Sequence, residues 1–438
     1  MSRAAWLGVG VLLLLGTGAA AGQLRGTAFS ASIDHPAIQY GARPLNDPIS
    51  VLNRKLQEGA ARLQPDGSRG YLPSVLDALD VAVESQILAF AKTSVQSARI
   101  TPANPRALFF GDELAVGWVP GGFIELAAQD PRQGVAFYVL DSRQAGAPTF
   151  VRQGSCLSCH VSYSSLDVPG MLVRSVVPDA DGEAQFRFGS YVTSHDSPFE
   201  QRWGGWYVTG EAGSMRHMGN AVIGDGDDDP DRFAAEGRTL ASLRGRFDTD
   251  TYLSPHSDIV ALMVFDHQMH MMNLITRVGW EARYARHQGG PGRTLLAVPG
   301  SSSRSASDRI RDAAAELVEY LLFVDEVPLE SPVRGSSVFS AQFASRGPHD
   351  RKGRSLRELD LEQRLMRYPC SYMIYTEAFG SLPAEALAAI YARMWQILSG
   401  RESDPRYARL SLEDRRAIVE ILRDTKPDLP DYFRAVDR

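Results

Sequence analysis

The hydrophobic pattern beyond residue 250 is that of α-helices. Residues 257–284 (SDIVALMVFDHQMHMMNLITRVGWEARY) are apolar over most of their length, and Ser257 is the predicted N-cap. Apolar residues recur at helical spacing in three later segments, 307–323, 383–399 and 411–424. The last of these has Ser411 at its cap position and acidic residues in its first turn. The C-terminal part is therefore predicted to be mainly helical.

The first half of the chain combines one predicted helix with short strands. Residues 73–95 have helical spacing and begin with Pro73, which favours a helix start. Residues 107–141 are short apolar runs separated by Gly-Asp, Pro-Gly-Gly and Asp-Pro, which predicts an antiparallel meander. Residues 186–194 and 204–213 predict further short strands. The expected fold class is α+β, mainly α, with helices around a small antiparallel β part.

The N-terminus has the pattern of an export signal. Arg3 precedes an apolar run over 4–15, and the small residues 16–22 fit an A-x-A cleavage site. We therefore expect residues 1–22 to be cleaved and the protein to be exported, for example to the periplasm. No later segment has the length and apolarity of a membrane span, so no integral span is expected after cleavage.

Composition divides the rest of the chain into four regions. They are an N-terminal helix with a β meander (23–150), a cysteine-containing region (151–290), a Gly/Pro/Ser-rich linker (291–306) and a mainly helical C-terminal region (307–438). The formal net charge of -6 gives no reason to expect a nucleic-acid partner. The acidic segment 224–233 (GDGDDDPDRF) could bind calcium through oxygen ligands, but it lacks the EF-hand spacing, which favours a solvated loop.

The candidate chemistry is concentrated in the segment CLSCH, residues 156–160. This CxxCH spacing fits a covalent haem site, because the two sulfurs can bind the porphyrin vinyl groups and the histidine can bind the iron. A redox dithiol would require a βαβ context, which the flanking TFVRQG and VSYSSLDVPG do not provide. A zinc site would require further ligands, and Cys370 has no neighbouring cysteine. We predict one covalent haem c, and we expect Cys370 to be a buried core residue.

With its export signal, this motif resembles that of the c-type cytochromes. The resemblance implies that Cys156 and Cys159 form the thioethers and that His160 is the proximal iron ligand. It covers those five residues and the compartment. A long stretch of chain precedes the motif, so a minimal cytochrome c fold is not expected. The segments RWGGWYVTG, RHMGN and YPCSYMIY are similar to segments of large exported single-haem proteins of unassigned role.

Several side chains are candidates for the sixth position on the iron. His267 and His270 lie three residues apart on the predicted helix 257–284, and therefore on one side of it. The other candidates are His217, Met218 and Met171. Alternatively the iron is open, and these residues, with Arg216 or Arg277, form a distal pocket.

Three functions are compatible with one covalent haem in a chain of this size. Electron transfer between redox proteins is favoured, and a redox partner protein is then expected. The first alternative is a haem enzyme with an open distal site that acts on peroxide or dioxygen. The second is a haem subunit of a larger redox complex. No metal other than the haem iron is expected.

Overall fold

The computed structural model describes residues 26–140, 148–224, 233, 238–289 and 305–434. The predicted signal at 1–22 lies outside this part of the chain. The acidic segment 224–233 lies outside it apart from Gly224 and Phe233, and the predicted linker 291–306 apart from Ser305 and Ala306.

The strands are short and all their ladders are antiparallel. They are β1 (Ile87–Ala89), β2 (Arg106–Gly111), β3 (Leu114–Trp118), β4 (Ile124–Asp130), β5 (Gly134–Leu140), β6 (Val151–Arg152), β7 (Val173–Val176), β8 (Ser190–Thr193), β9 (Trp206–Tyr207), β10 (Gly210–Glu211) and β11 (Arg334–Gly335). Seven of them form one sheet in the order β6-β5-β4-β3-β2-β1-β9. The predicted meander over 107–141 is therefore confirmed as β2 to β5.

The nine helices of the described chain include one that is longer than the rest. They are α1 (Pro48–Gln57), α2 (Leu72–Ala78), α3 (Leu157–His160), α4 (Ile259–Gln288), α5 (Ala306–Leu321), α6 (Phe339–Ser345), α7 (Glu377–Gly380), α8 (Ala384–Leu398) and α9 (Leu412–Thr425). The predicted helices near 257–284, 307–323, 383–399 and 411–424 correspond to α4, α5, α8 and α9. Ser411 caps α9 in a capping box with Asp414, as predicted.

The helix α4 runs through the middle of the core. Every residue from Ile259 to Ala282 is buried, so the polar side chains within this mostly apolar helix are enclosed in the core as well. The prediction of Ser257 as its cap is wrong, because the side chain of Asp258 accepts the hydrogen bond from Val260 N. Ser257 instead joins two strands, since its Oγ donates to Tyr207 O and accepts from Leu88 N.

The predicted helix over 73–95 is shorter than expected. The helix α2 ends at Ala78, and Asp80 has a left-handed backbone with a φ of 53°. The chain then enters the sheet as β1, where Ile87 faces one core cluster and Leu88 the other. Hydrogen bonds to β2 and β9 on both sides therefore outweigh the helical periodicity of this segment.

The large sheet is covered on both faces. One face packs on α1 and α2 through Leu88, Phe109 and Val116. The other face packs on α4, and α4 in turn packs on α5. This second core cluster extends from Ile87 to Phe433. The fold is α+β with helices as its larger part, as predicted, and it is not a minimal cytochrome c fold.

Candidate functional site

The CxxCH motif forms one tight helical turn at the edge of the large sheet. After β6, a 3-10 turn over Gly154–Cys156 leads directly into the helix α3. Cys156 is half-buried, Cys159 is exposed, and both thiols are free. Burial, with the nearby Glu125 and Cys159, raises the pKa of the Cys156 thiol. Redox-active CxxC pairs require a lowered thiol pKa, so this environment disfavours a redox dithiol.

The imidazole of His160 is held in the orientation that an iron ligand needs. Its Nδ1 lies 2.9 Å from the carbonyl oxygen of Gly170, to which an Nδ1–H donates. The other nitrogen, Nε2, then carries the lone pair that can bind a metal. Burial lowers the pKa of His160, which favours the neutral form required for ligation. The ring also packs against Phe137, with centroids 4.6 Å apart.

The carbonyl that orients His160 is itself fixed by the central helix. Asn273 of α4 accepts from Met171 N at 3.0 Å and donates to Met171 O at 2.7 Å. Gly170 cannot be replaced without displacement, because a Cβ there would lie 2.1 Å from Asn273 Oδ1. The Gly170 N–H also donates to His160 O at 3.0 Å. Asn273 and Gly170 are therefore positioning residues that the motif alone does not reveal.

The sheet face beside His160 is partly open. Phe137 lies on this face, and its neighbours Ala127 and Val139 are only half-buried. Val151, which pairs with Val139 at the edge of the sheet, is 51% exposed. These side chains form a partly exposed apolar surface next to the motif.

Two charged side chains of the sheet lie within electrostatic range of His160. Arg106 of β2 and Glu125 of β4 form a partly buried ion pair of 2.9 Å across β3. The Nε of Arg106 is buried and has no hydrogen-bond partner in the described part of the chain. A haem brings carboxylate side chains, for which arginine is a favourable partner. Together with two thiols and a neutral imidazole, these residues fit a covalently bound haem.

The two candidate ligands on α4, His267 and His270, contact other side chains of the core. His267 Nδ1 lies 2.7 Å from His195 Nδ1, and His267 Nε2 lies 2.7 Å from Ser371 Oγ. Burial lowers the pKa of His267 well below its usual value, with contributions from His195 and His270. His270 is also buried, and its ring packs edge-on against Tyr320 at 4.7 Å. Sequence reasoning missed His195, which lies 72 residues before its partner.

His217 and Met218 are engaged in the same way. His217 Nδ1 accepts from Gly219 N, and its Nε2 lies 3.1 Å from Thr239 Oγ1. Its burial lowers its pKa to about 4. The sulfur of Met218 accepts from Ser175 Oγ at 3.5 Å. Both side chains thus have partners within the protein fold.

Met171 is close to the motif, but its side chain belongs to the core cluster around α4. Its backbone adjoins Gly170, which lies on the Nδ1 side of His160. The side chain of Met171 is buried in the core cluster around α4, so we interpret Met171 as a packing residue.

Among the described residues, no three His, Cys, Asp or Glu side chains are arranged to hold a metal ion. Within the same ranges, no helix has both the length and the apolarity needed to cross a bilayer. No family model, curated protein or solved structure matches this chain.

Proposed function

We propose that this chain is an exported c-type cytochrome that binds one haem covalently and transfers electrons to or from a redox partner protein. Export is part of the proposal and rests on the signal pattern of residues 1–22. The observation that carries the proposal is the environment of His160. A CxxCH histidine whose Nδ1–H is bound to a backbone carbonyl presents Nε2 as a ligand.

Each side chain of the motif has a defined task in this proposal. The thiols of Cys156 and Cys159 hold the haem at the edge of the sheet. The bound haem supplies reversible one-electron chemistry at its iron. Gly170 and Asn273 keep the imidazole of His160 from rotating, and its hydrogen bond to Gly170 raises its basicity toward the metal.

The state of the sixth position separates electron transfer from the enzyme alternative. The ring nitrogens of His217 and His267 have protein partners, and the side chain of Met171 is buried in the core cluster around α4. These contacts favour the second candidate function, a haem enzyme that acts on peroxide or dioxygen at an open iron. Electron transfer remains the first proposal, because it is the commoner role of proteins with a CxxCH haem site.

Covalent attachment is tested by expressing the full chain with its signal in a host that has haem-attachment machinery. We expect haem to remain with the polypeptide after denaturation. Replacing both Cys156 and Cys159 by Ala should abolish this retention. Cys370→Ala is the matched control, since this buried cysteine lies outside the motif and should leave attachment unchanged. Retention in the double variant would contradict the proposal.

Optical spectra then distinguish the two functions. A low-spin haem that is unchanged by carbon monoxide or cyanide indicates a filled sixth position and supports electron transfer. A high-spin haem that binds these ligands indicates an open iron and supports the enzyme. In the latter case, peroxide turnover is the next assay.

A further inference from the structure

An arginine-rich cleft lies beside the C-terminal half of α4. It is formed by the turn between β4 and β5, the C-terminal half of α4 and the residues that precede α8. Its volume is about 300 Å³, at the lower end of the range for small-molecule sites. Cys156, Cys159 and His160 are not among the residues that line this cleft, so a ligand bound in it is a proposal separate from the proposed function.

The lining of this cleft is strongly cationic. Its charged residues are Arg43, Arg132, Arg283, Arg286 and Asp130. The carboxylate of Asp130 is already occupied by backbone donors, because it accepts from the amides of residues 46, 132 and 133. Arg286 pairs with Glu385 at 2.7 Å. Within the described residues, no carboxylate pairs with Arg43, Arg132 or Arg283.

Arg283 is the most enclosed of these cations. Its Nη2 donates to Arg132 O, whereas its Nη1 is buried and has no hydrogen-bond partner in the described chain. Burial lowers the pKa of Arg283 to about 10; the positive charges of Arg43 and Arg132 add to this effect, and the negative charge of Asp130 opposes it. Three mutually repelling guanidinium groups around one cleft are stabilised by a bound anion.

The cleft also has a neutral hydrogen-bond acceptor, the side-chain amide oxygen of Gln129. Gln129 is 1% exposed, and its Nε2 donates to Met272 O at 3.1 Å and to Thr276 Oγ1 at 3.3 Å. Gln129 is one of the residues that line the cleft, and its Oε1 is buried without a hydrogen-bond partner in the described residues. A buried amide oxygen without a donor is costly, and a ligand hydroxyl would satisfy it.

We propose that this cleft binds a small hydroxycarboxylate. Its carboxylate groups bind the guanidinium groups of Arg43, Arg132 and Arg283, and its hydroxyl donates to Gln129 Oε1. A phosphate ester could offer the same combination of oxyanion and hydroxyl. The cleft volume exceeds the need of free phosphate, and flat guanidinium groups match carboxylates in a bidentate fashion.

The test is calorimetric titration of the full-length exported protein with three probes at low ionic strength. The probes are citrate, tricarballylate, which is citrate without its hydroxyl, and inorganic phosphate. We expect citrate to bind with a Kd below about 1 mM, and tricarballylate to bind about tenfold more weakly because Gln129 Oε1 stays unpaired. Inorganic phosphate should bind more weakly than citrate.

Three single variants connect the binding to the cleft. Arg43→Gln and Arg132→Gln alter exposed side chains, so these proteins should fold, and each should weaken citrate binding about tenfold. Arg283→Gln should weaken it more, although this partly buried position carries a larger risk for folding. Arg62→Gln is the matched control, an exposed arginine outside the cleft that should leave the affinity unchanged.

Several results would contradict the proposal that this cleft binds a hydroxycarboxylate. No citrate binding at about 1 mM would overturn the proposal, as would equal weakening by Arg62→Gln and Arg43→Gln. Equal affinities for citrate and tricarballylate would refute the role of Gln129. Tighter binding of phosphate than of citrate would refute the hydroxycarboxylate. Haem retention is a separate measurement from citrate binding, so the failure of one proposal can be distinguished from the failure of the other.

Discussion

Replacing Asn273 by Ala should change the orientation of the His160 imidazole, although Asn273 bonds to Met171 and not to His160 itself. Asn273 bonds to both the N–H and the C=O of Met171, and the neighbouring Gly170 carbonyl accepts from His160 Nδ1. The alanine variant removes both bonds at Met171 and leaves a void between α4 and the loop. We expect the loop to relax and the imidazole to lose its fixed orientation.

The cost in stability is set by the two lost bonds. Each buried backbone group left unpaired costs about 1–3 kcal/mol, so two groups give about 2–6 kcal/mol. We expect a value in the lower half of this range, since a water molecule admitted to the void can bond to both groups. Denaturant unfolding of the protein measures this loss as a change in midpoint at constant slope.

The orientation of His160 requires a separate measurement. The Nδ1–H of His160 should give a slowly exchanging NMR signal in the wild type and a rapidly exchanging one in Asn273→Ala. Asn220→Gly is the matched control, because Asn220 bonds to the N–H and C=O of Val208 in the same way. Glycine suits this position, where φ is 68°.

The two variants should therefore agree in stability and differ at His160. Asn220→Gly should lower stability by a similar amount and leave the His160 signal protected. The reasoning is refuted if Asn273→Ala stays within about 0.5 kcal/mol of the wild type. It is also refuted if the two variants affect the exchange of the His160 Nδ1–H equally.

Three further predictions concern pH and capping. Burial raises the pKa of Glu113 from 4.5 to about 7, so the folded state binds the extra proton and stability falls as pH rises between these values. Glu113→Gln should remove up to about 3 kcal/mol of this fall, measured by unfolding at pH 4.5 and pH 8. Burial lowers the pKa of His217 from 6.5 to about 4, so the unfolded state binds the proton first and stability is lost as pH falls through that interval. His217→Gln should flatten the acid limb of the stability curve by about 3 kcal/mol, and an unchanged limb would show that His217 is not buried as described. Ser411→Ala removes the cap that accepts from Asp414 N and should cost about 1 kcal/mol in thermal unfolding, whereas no change would show that the end of α9 is frayed.

Local patterns accounted for much of the fold. The meander β2 to β5 was predictable because its turns carry Gly and Pro, and α9 because Ser411 and Asp414 form a capping box within four residues. The helix α4 was predictable from its long and mostly apolar sequence. The cap of α4 was not predictable, because Ser257 forms hydrogen bonds to Leu88 and Tyr207, in strands that are distant in the sequence.

The environment of the motif depends on long-range contacts. The CxxCH spacing predicts the identity of the ligand His160, but its orientation depends on Asn273, which lies more than 100 residues away. His267 was predicted as a candidate distal ligand because its partner His195 cannot be identified from helical periodicity. The segment 73–95 was predicted as one helix because two-sided burial in a sheet erases strand alternation.

The most direct test of the central claim is the mass of one tryptic peptide from the exported protein. Trypsin should release residues 153–174, between Arg152 and Arg174, which contain Cys156, Cys159 and His160. We predict that this peptide carries the added mass of one haem joined through both cysteines. The unmodified peptide, found in protein from a host that attaches haem to a known cytochrome c, would contradict the account.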